Sequence, residues 1–69
     1  MEMNRREKAT MRARDALKLH NRDEVEVRTE DGWEPGYVLG DPYPRGGRVI
    51  VPVQTRTQGW REVDHTDVR

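Results

Sequence analysis

Cysteine, serine and phenylalanine are all missing from this 69-residue chain. Without cysteine there is no disulfide and no thiolate metal site. Without serine as well, the usual nucleophiles of covalent hydrolases are gone together, leaving threonine hydroxyls and carboxylates. The longest apolar stretch, Val49 to Val53, is interrupted by Pro52. That is far short of a transmembrane helix or the apolar region of a signal peptide, so a cytoplasmic protein with no membrane contact is expected. Aromatic residues make up 6% of the chain and hydrophobic residues 32%. A chain of this length buries only about 60% of its unfolded surface, so one marginally stable domain is expected. Lysine is scarce too, with two against eleven arginines. That bias suggests a high-GC genome, such as that of an actinobacterium or one of its phages.

A net charge is also lacking, but only by cancellation. Residues 1–22 carry seven basic and three acidic side chains, a net of +4. Residues 23–69 carry six basic and ten acidic ones, a net of −4. The composition therefore divides the chain into a basic segment, 1–22, and an acidic remainder, 23–69. In the first, Asn4 and Glu7 are spaced as a capping box. No glycine or proline occurs from Arg5 to Leu19, and Ala9, Ala13, Ala16, Leu17 and His20 recur at helical spacing. This predicts an α-helix from residue 4 to 20, ended by a left-handed Asn21. Its apolar stripe is narrow and mostly alanine, so it needs a surface to pack on.

The remainder reads as β-structure. Thr29-Glu30-Asp31-Gly32-Trp33 and Thr57-Gln58-Gly59-Trp60 each set a glycine before a tryptophan, between valine-rich segments. Glycine accepts the positive φ of a tight turn, and the ring opens the return strand. Strands are expected at Glu24–Thr29, Trp33–Leu39, Arg48–Gln54 and Trp60–Val63, with valines on one face and charges on the other. Pro35-Gly36 marks a bulge. Pro52, lacking a donor, marks an edge strand. Gly40 to Gly47, with Pro42, Pro44 and three glycines, reads as a loop. Asp64-His65-Thr66 reads as one helical turn and Asp67-Val68-Arg69 as a last short strand.

Asp23-Glu24-Val25-Glu26-Val27, Asp31-Gly32-Trp33, Gly36-Tyr37-Val38 and the ending Val63 to Arg69 together resemble the SH3-like barrel superfamily, with its Tudor and KOW-type members. The resemblance covers residues 23–69. It implies a five-stranded SH3-like barrel, here preceded by the N-terminal α-helix. It also implies recognition of peptides, methylated side chains or nucleic acid. One barrel enzyme of this shape, the plasmid-type dihydrofolate reductase, lines its pore with Val-Gln-Ile-Tyr. Val53-Gln54-Thr55-Arg56 lacks the isoleucine and tyrosine, which argues against that activity.

No catalytic residue is expected: the carboxylates alternate with valines, as solvent-facing residues do. No metal site or cofactor is expected either, because no helical or hairpin spacing pairs His20 with His65. Asp64 reads as a turn cap and His65 as a surface residue. All four aromatics, Trp33, Tyr37, Tyr43 and Trp60, lie in the acidic half. The rings either cap a core that lacks phenylalanine or line a docking site. The leading expectation is recognition of a protein partner through Trp33, Tyr37, Tyr43, Arg45 and Trp60, with the acidic surface selecting a basic partner. A phage-encoded effector of a host protein fits this description. Two alternatives stand beside it. Arg5, Arg6, Lys8, Arg12, Arg14, Lys18 and Arg22 could bind nucleic acid. The basic helix of one copy could dock on the acidic half of another, giving a homo-oligomer.

Overall fold

The computed structural model describes residues 9–69. Five strands follow one helical turn: α1 (Ala13–Ala16), β1 (Glu24–Thr29), β2 (Gly32–Val38), β3 (Tyr43–Arg45), β4 (Arg48–Thr55) and β5 (Gly59–Asp64). A 3-10 turn, His65–Asp67, follows β5. All ladders are antiparallel in one sheet, with β1 on β2, β2 and β3 both on β4, and β5 on the other edge of β4.

The core is almost all valine. Val25, Val27, Val38, Val49, Val51, Val53, Val63 and Val68, the chain's eight valines, are all buried, and Ala16 joins them. β-branched side chains suit a pleated surface, and their alternation with polar residues gives the sheet one dry face. Val25 and Val27 of β1 share this core with Val63 of β5, so the sheet curls round its dry face. Met11, Ala13 and Leu19 pack against the same cluster.

Both expected hairpins form. Thr29 pairs with Gly32 and Thr55 with Gly59, and both glycines have positive φ, 114° and 68°. The stretch 40–47 is not one loop. Leu39 donates its amide to the Pro52 carbonyl (2.9 Å) and Tyr43 pairs with Ile50. β2 and β3 therefore run as one strand along β4, interrupted by the bulge at residues 40–42. β3 returns through Gly46 and Gly47, both at positive φ (55° and 82°), as a two-residue turn of the primed kind requires. Pro52 does not mark an edge: β4 is the central strand, paired on both sides. N–H and C=O of one strand residue point to the same neighbour. The missing donor of Pro52 thus faces the break between β2 and β3, where little pairing is lost.

The helix is shorter than the sequence predicts. Residues 4–8, with the Asn4–Glu7 capping box, lie outside the described residues; within residues 9–20 only Ala13–Ala16 is α-helical. The Met11 amide bonds to the Val68 carbonyl (2.9 Å) and the Arg22 amide to the Val38 carbonyl (2.6 Å). These ties to the sheet outweigh the propensity of an alanine stripe that buries little. The left-handed residue is Arg22 (φ 79°), not Asn21. Asn21 instead accepts the Gly40 amide on its Oδ1 (3.0 Å), fixing the bulge.

Residues 67–69 do not form a strand. Val68 makes one bridge with Val27, and Arg69 exchanges two backbone bonds with Glu26 (2.8 and 2.9 Å). Among the described residues the return to β1 goes no further, and no continuous ladder joins β5 to β1.

Candidate functional site

Directly opposed residues of an antiparallel pair point to the same side of the sheet. Glu24 opposes Tyr37, Tyr37 opposes Gln54, and Gln54 opposes Trp60. These four form a row across β1, β2, β4 and β5. The neighbouring pairs Val38–Val53 and Val51–Val63 are buried, so the row lies on the outer face. Tyr37 is 43% exposed and Trp60 59%, the two large rings most open to solvent. Their strands are two steps apart, about 10 Å.

The other expected site residues, Trp33, Tyr43 and Arg45, share that face, and the first two have partners within the chain. Trp33 lies opposite Arg28 in the β1–β2 ladder. The Arg28 and Arg69 guanidiniums stand 4.6 and 4.3 Å from its ring centroid. Each arginine is held in turn, Arg28 by Asp67 (3.2 Å) and Arg69 by Glu26 (2.8 Å). A ring already stacked on two cations is a structural element. Neither Trp33 nor Trp60 caps the valine core, which contains no ring.

Tyr43 opposes Ile50 on β3 and is half-buried. Its hydroxyl is pushed above the ordinary phenol range, first by burial and then by the bond it donates to the Glu62 carboxylate. Arg45 is exposed and faces Arg48 across the hairpin. That like-charge pair is relieved because Arg48 grips Asp64 through both Nε and Nη2, the latter at 2.6 Å. The Arg48 bond is the largest reason that the Asp64 carboxyl lies well below the usual carboxylate range, despite a side chain only 20% exposed. Asp64 also caps the 3-10 turn, accepting the Thr66 amide (3.0 Å) and hydroxyl (2.6 Å). His65 is tied down rather than free at the surface, its Nδ1 2.9 Å from the Met11 carbonyl oxygen.

Tyr37 also borders an open groove of about 800 Å³, lined by Glu24, Glu26, Glu34, Thr55 and Arg56 among others. Glu34 is held ionised: bonds from the Thr57 and Thr55 hydroxyls, then from the Thr57 amide, lower its pKa. The groove is acidic, and Glu24, Glu34 and Gln54 are members that the sequence reading treated only as solvated strand residues. Glu24 and Gln54 alternate with valines, which marks the outer face, whereas Glu34 opposes the buried Val27 and reaches the groove from the inner side. Their convergence depends on the β2–β4 pairing, which no local pattern encodes.

Arg12, Arg14, Lys18 and Arg22 are all exposed and make no ion pair among the described residues. Arg5, Arg6 and Lys8 lie outside the described residues. Among the described residues no group of three or more histidines and carboxylates could hold a metal ion, and no helix is long and apolar enough to cross a membrane. Compared with protein-family models, curated proteins and solved structures, the chain matches none.

Proposed function

We propose that this chain is a non-catalytic recognition module, built on an SH3-like barrel plan, that takes a basic segment of a partner protein against the Tyr37–Gln54–Trp60 row. The observation that carries this reading is the exposure of two large rings, 43% and 59%, in one row on the outer face of a sheet whose apolar core is made elsewhere. Neither ring is needed to complete the core, and exposed aromatics of this kind supply buried area when a partner docks. Glu24 stands beside Tyr37 in the same row, and the adjoining groove adds the ionised Glu34, which favours a cationic ligand. The barrel plan is supported by the path of the chain: four strands in the order β1-β2-β4-β5, a 3-10 turn, and a return of Val68 and Arg69 to β1. The absence of catalysis is supported by the engagement of Asp64, Glu34 and Glu26 with Arg48, Thr57 and Arg69.

Arg12, Arg14, Lys18 and Arg22, exposed and without an ion pair among the described residues, support a second reading, association with nucleic acid. One experiment separates the two: affinity capture from a native lysate, with and without nuclease, by the wild-type chain and by Tyr37→Ala. On the leading reading, capture survives nuclease and falls with Tyr37→Ala. Capture that vanishes with nuclease and weakens steeply with salt supports the second reading.

A further inference from the structure

The backbone edge of β5 is open, and the register says which groups it offers. In an antiparallel ladder successive residues address alternate neighbours. The Pro52 carbonyl accepts from Leu39, so Ile50, Pro52 and Gln54 address β2 and β3. Val51, Val53 and Thr55 then address β5, where their partners are Val63, Arg61 and Gly59. Trp60 and Glu62 consequently turn their N–H and C=O away from β4. Among the described residues no strand pairs with that side of β5. Both residues are exposed. An open cleft of about 510 Å³ lies alongside, bounded by Arg28, Thr29, Glu30, Gln58, Arg61 and Asp67.

We propose that β5 is a strand-addition edge, to which an extended segment of a partner protein pairs through the backbone of Trp60 and Glu62. This rests on the recognition reading above and adds the mode of binding. An open edge with exposed N–H and C=O groups is a template for a further strand, and neighbouring side chains choose which strand. Here an apolar residue of the segment would cover the Trp60 ring and a lysine or arginine would face Glu62. A second copy of this chain is a poor occupant. The two antiparallel registers in which two β5 edges overlap most place Glu62 against Glu62, or Arg61 against Arg61, at the symmetry axis. Like charges directly opposed destabilise a ladder.

Amide hydrogen exchange on the free protein, read residue by residue, is the first arm of the test. Gly59, Arg61 and Val63 amides should be protected, whereas Trp60 and Glu62 amides exchange fast. Slow exchange at Trp60 and Glu62 would mean that the edge is already covered, and would overturn the proposal whatever the aromatic row does. The second arm is titration with an acetylated hexapeptide in which valine and lysine stand two residues apart with threonines between, so that both meet the face that carries Trp60 and Glu62, beside the same peptide N-methylated at the valine and the lysine. N-methylation keeps side chains and charge but removes strand donors. The expected result is protection of the Trp60 and Glu62 amides by the first peptide and at least ten-fold weaker binding of the second. Equal binding of the two peptides, with Trp60 and Tyr37 ring signals shifted but no amide protection, would overturn the edge and leave the aromatic row standing. No binding by the unmodified peptide would overturn both the edge and the preference for a basic segment.

Discussion

Gly36 shows how tightly one residue can be constrained by strands far from it in sequence. A Cβ at Gly36 would stand 2.5 Å from the Gln54 carbonyl oxygen and 2.9 Å from the Thr55 Cγ2. Relief requires β2 to move off β4, so Gly36→Ala should destabilise the fold by about 1–3 kcal/mol in denaturant unfolding. Asp64 sets a different constraint. Its carboxyl titrates well below the usual range because Arg48 and Thr66 bond the charged form. A group with a lowered folded pKa contributes stability that is present above its unfolded pKa and is lost as the pH falls towards the folded one. The wild-type melting temperature should therefore drop as the pH is lowered below about 4, the ordinary aspartate value. In Asp64→Asn that slope should be shallower, with a lower starting stability. At this scale the valines were fully legible, because alternation places them whatever the topology. The stacking of Trp33 on Arg28 and Arg69 was not: Arg69 reaches the ring only through the chain's return to Glu26.

Among the elements, the hairpins with Gly32 and Gly59 could be read because glycine and the following ring carry the turn locally. β3 was hidden. Pro42 and Pro44 read as loop residues, yet Pro44 sits on the β3 side of the β3–β4 ladder opposite Val49, with β4 supplying the pairing. The signal that could have found it is the Gly46-Gly47 dipeptide between two arginines. Nothing lies within 4 Å of a Cβ built at Gly46, so φ alone decides what that position tolerates. Gly46→Val should cost about 1–2 kcal/mol, whereas Gly46→Asn, which accepts the left-handed region, should change stability by less than about 0.5 kcal/mol. Thermal unfolding of the two variants side by side checks this. The central place of β4 escaped the reading because a proline usually argues for an edge. Here the break between β2 and β3 accommodates its missing donor. The helix failed for the opposite reason, since local propensity was followed where tertiary hydrogen bonds to Val68 and Val38 decide the path.

For the molecule as a whole, the division of labour between the two faces of the sheet matters most. Eight valines and Ala16 make the core, which leaves the aromatic rings on the outside. Two of those rings, Trp33 and Tyr43, are tied to arginines or to Glu62, and two, Tyr37 and Trp60, are open. Sequence alone showed that the rings gather in the acidic half; only the register separates the tied from the open ones. The most direct measurement compares partner capture from a nuclease-treated lysate by wild type, Trp60→Ala and Trp33→Ala, with a melting curve for each. Trp60→Ala should keep stability within about 0.5 kcal/mol, as exposed substitutions do, and lose at least ten-fold in capture. Trp33→Ala should mainly lower the melting temperature. Capture by a folded Trp60→Ala equal to that of the wild type would contradict recognition through the Tyr37–Trp60 row.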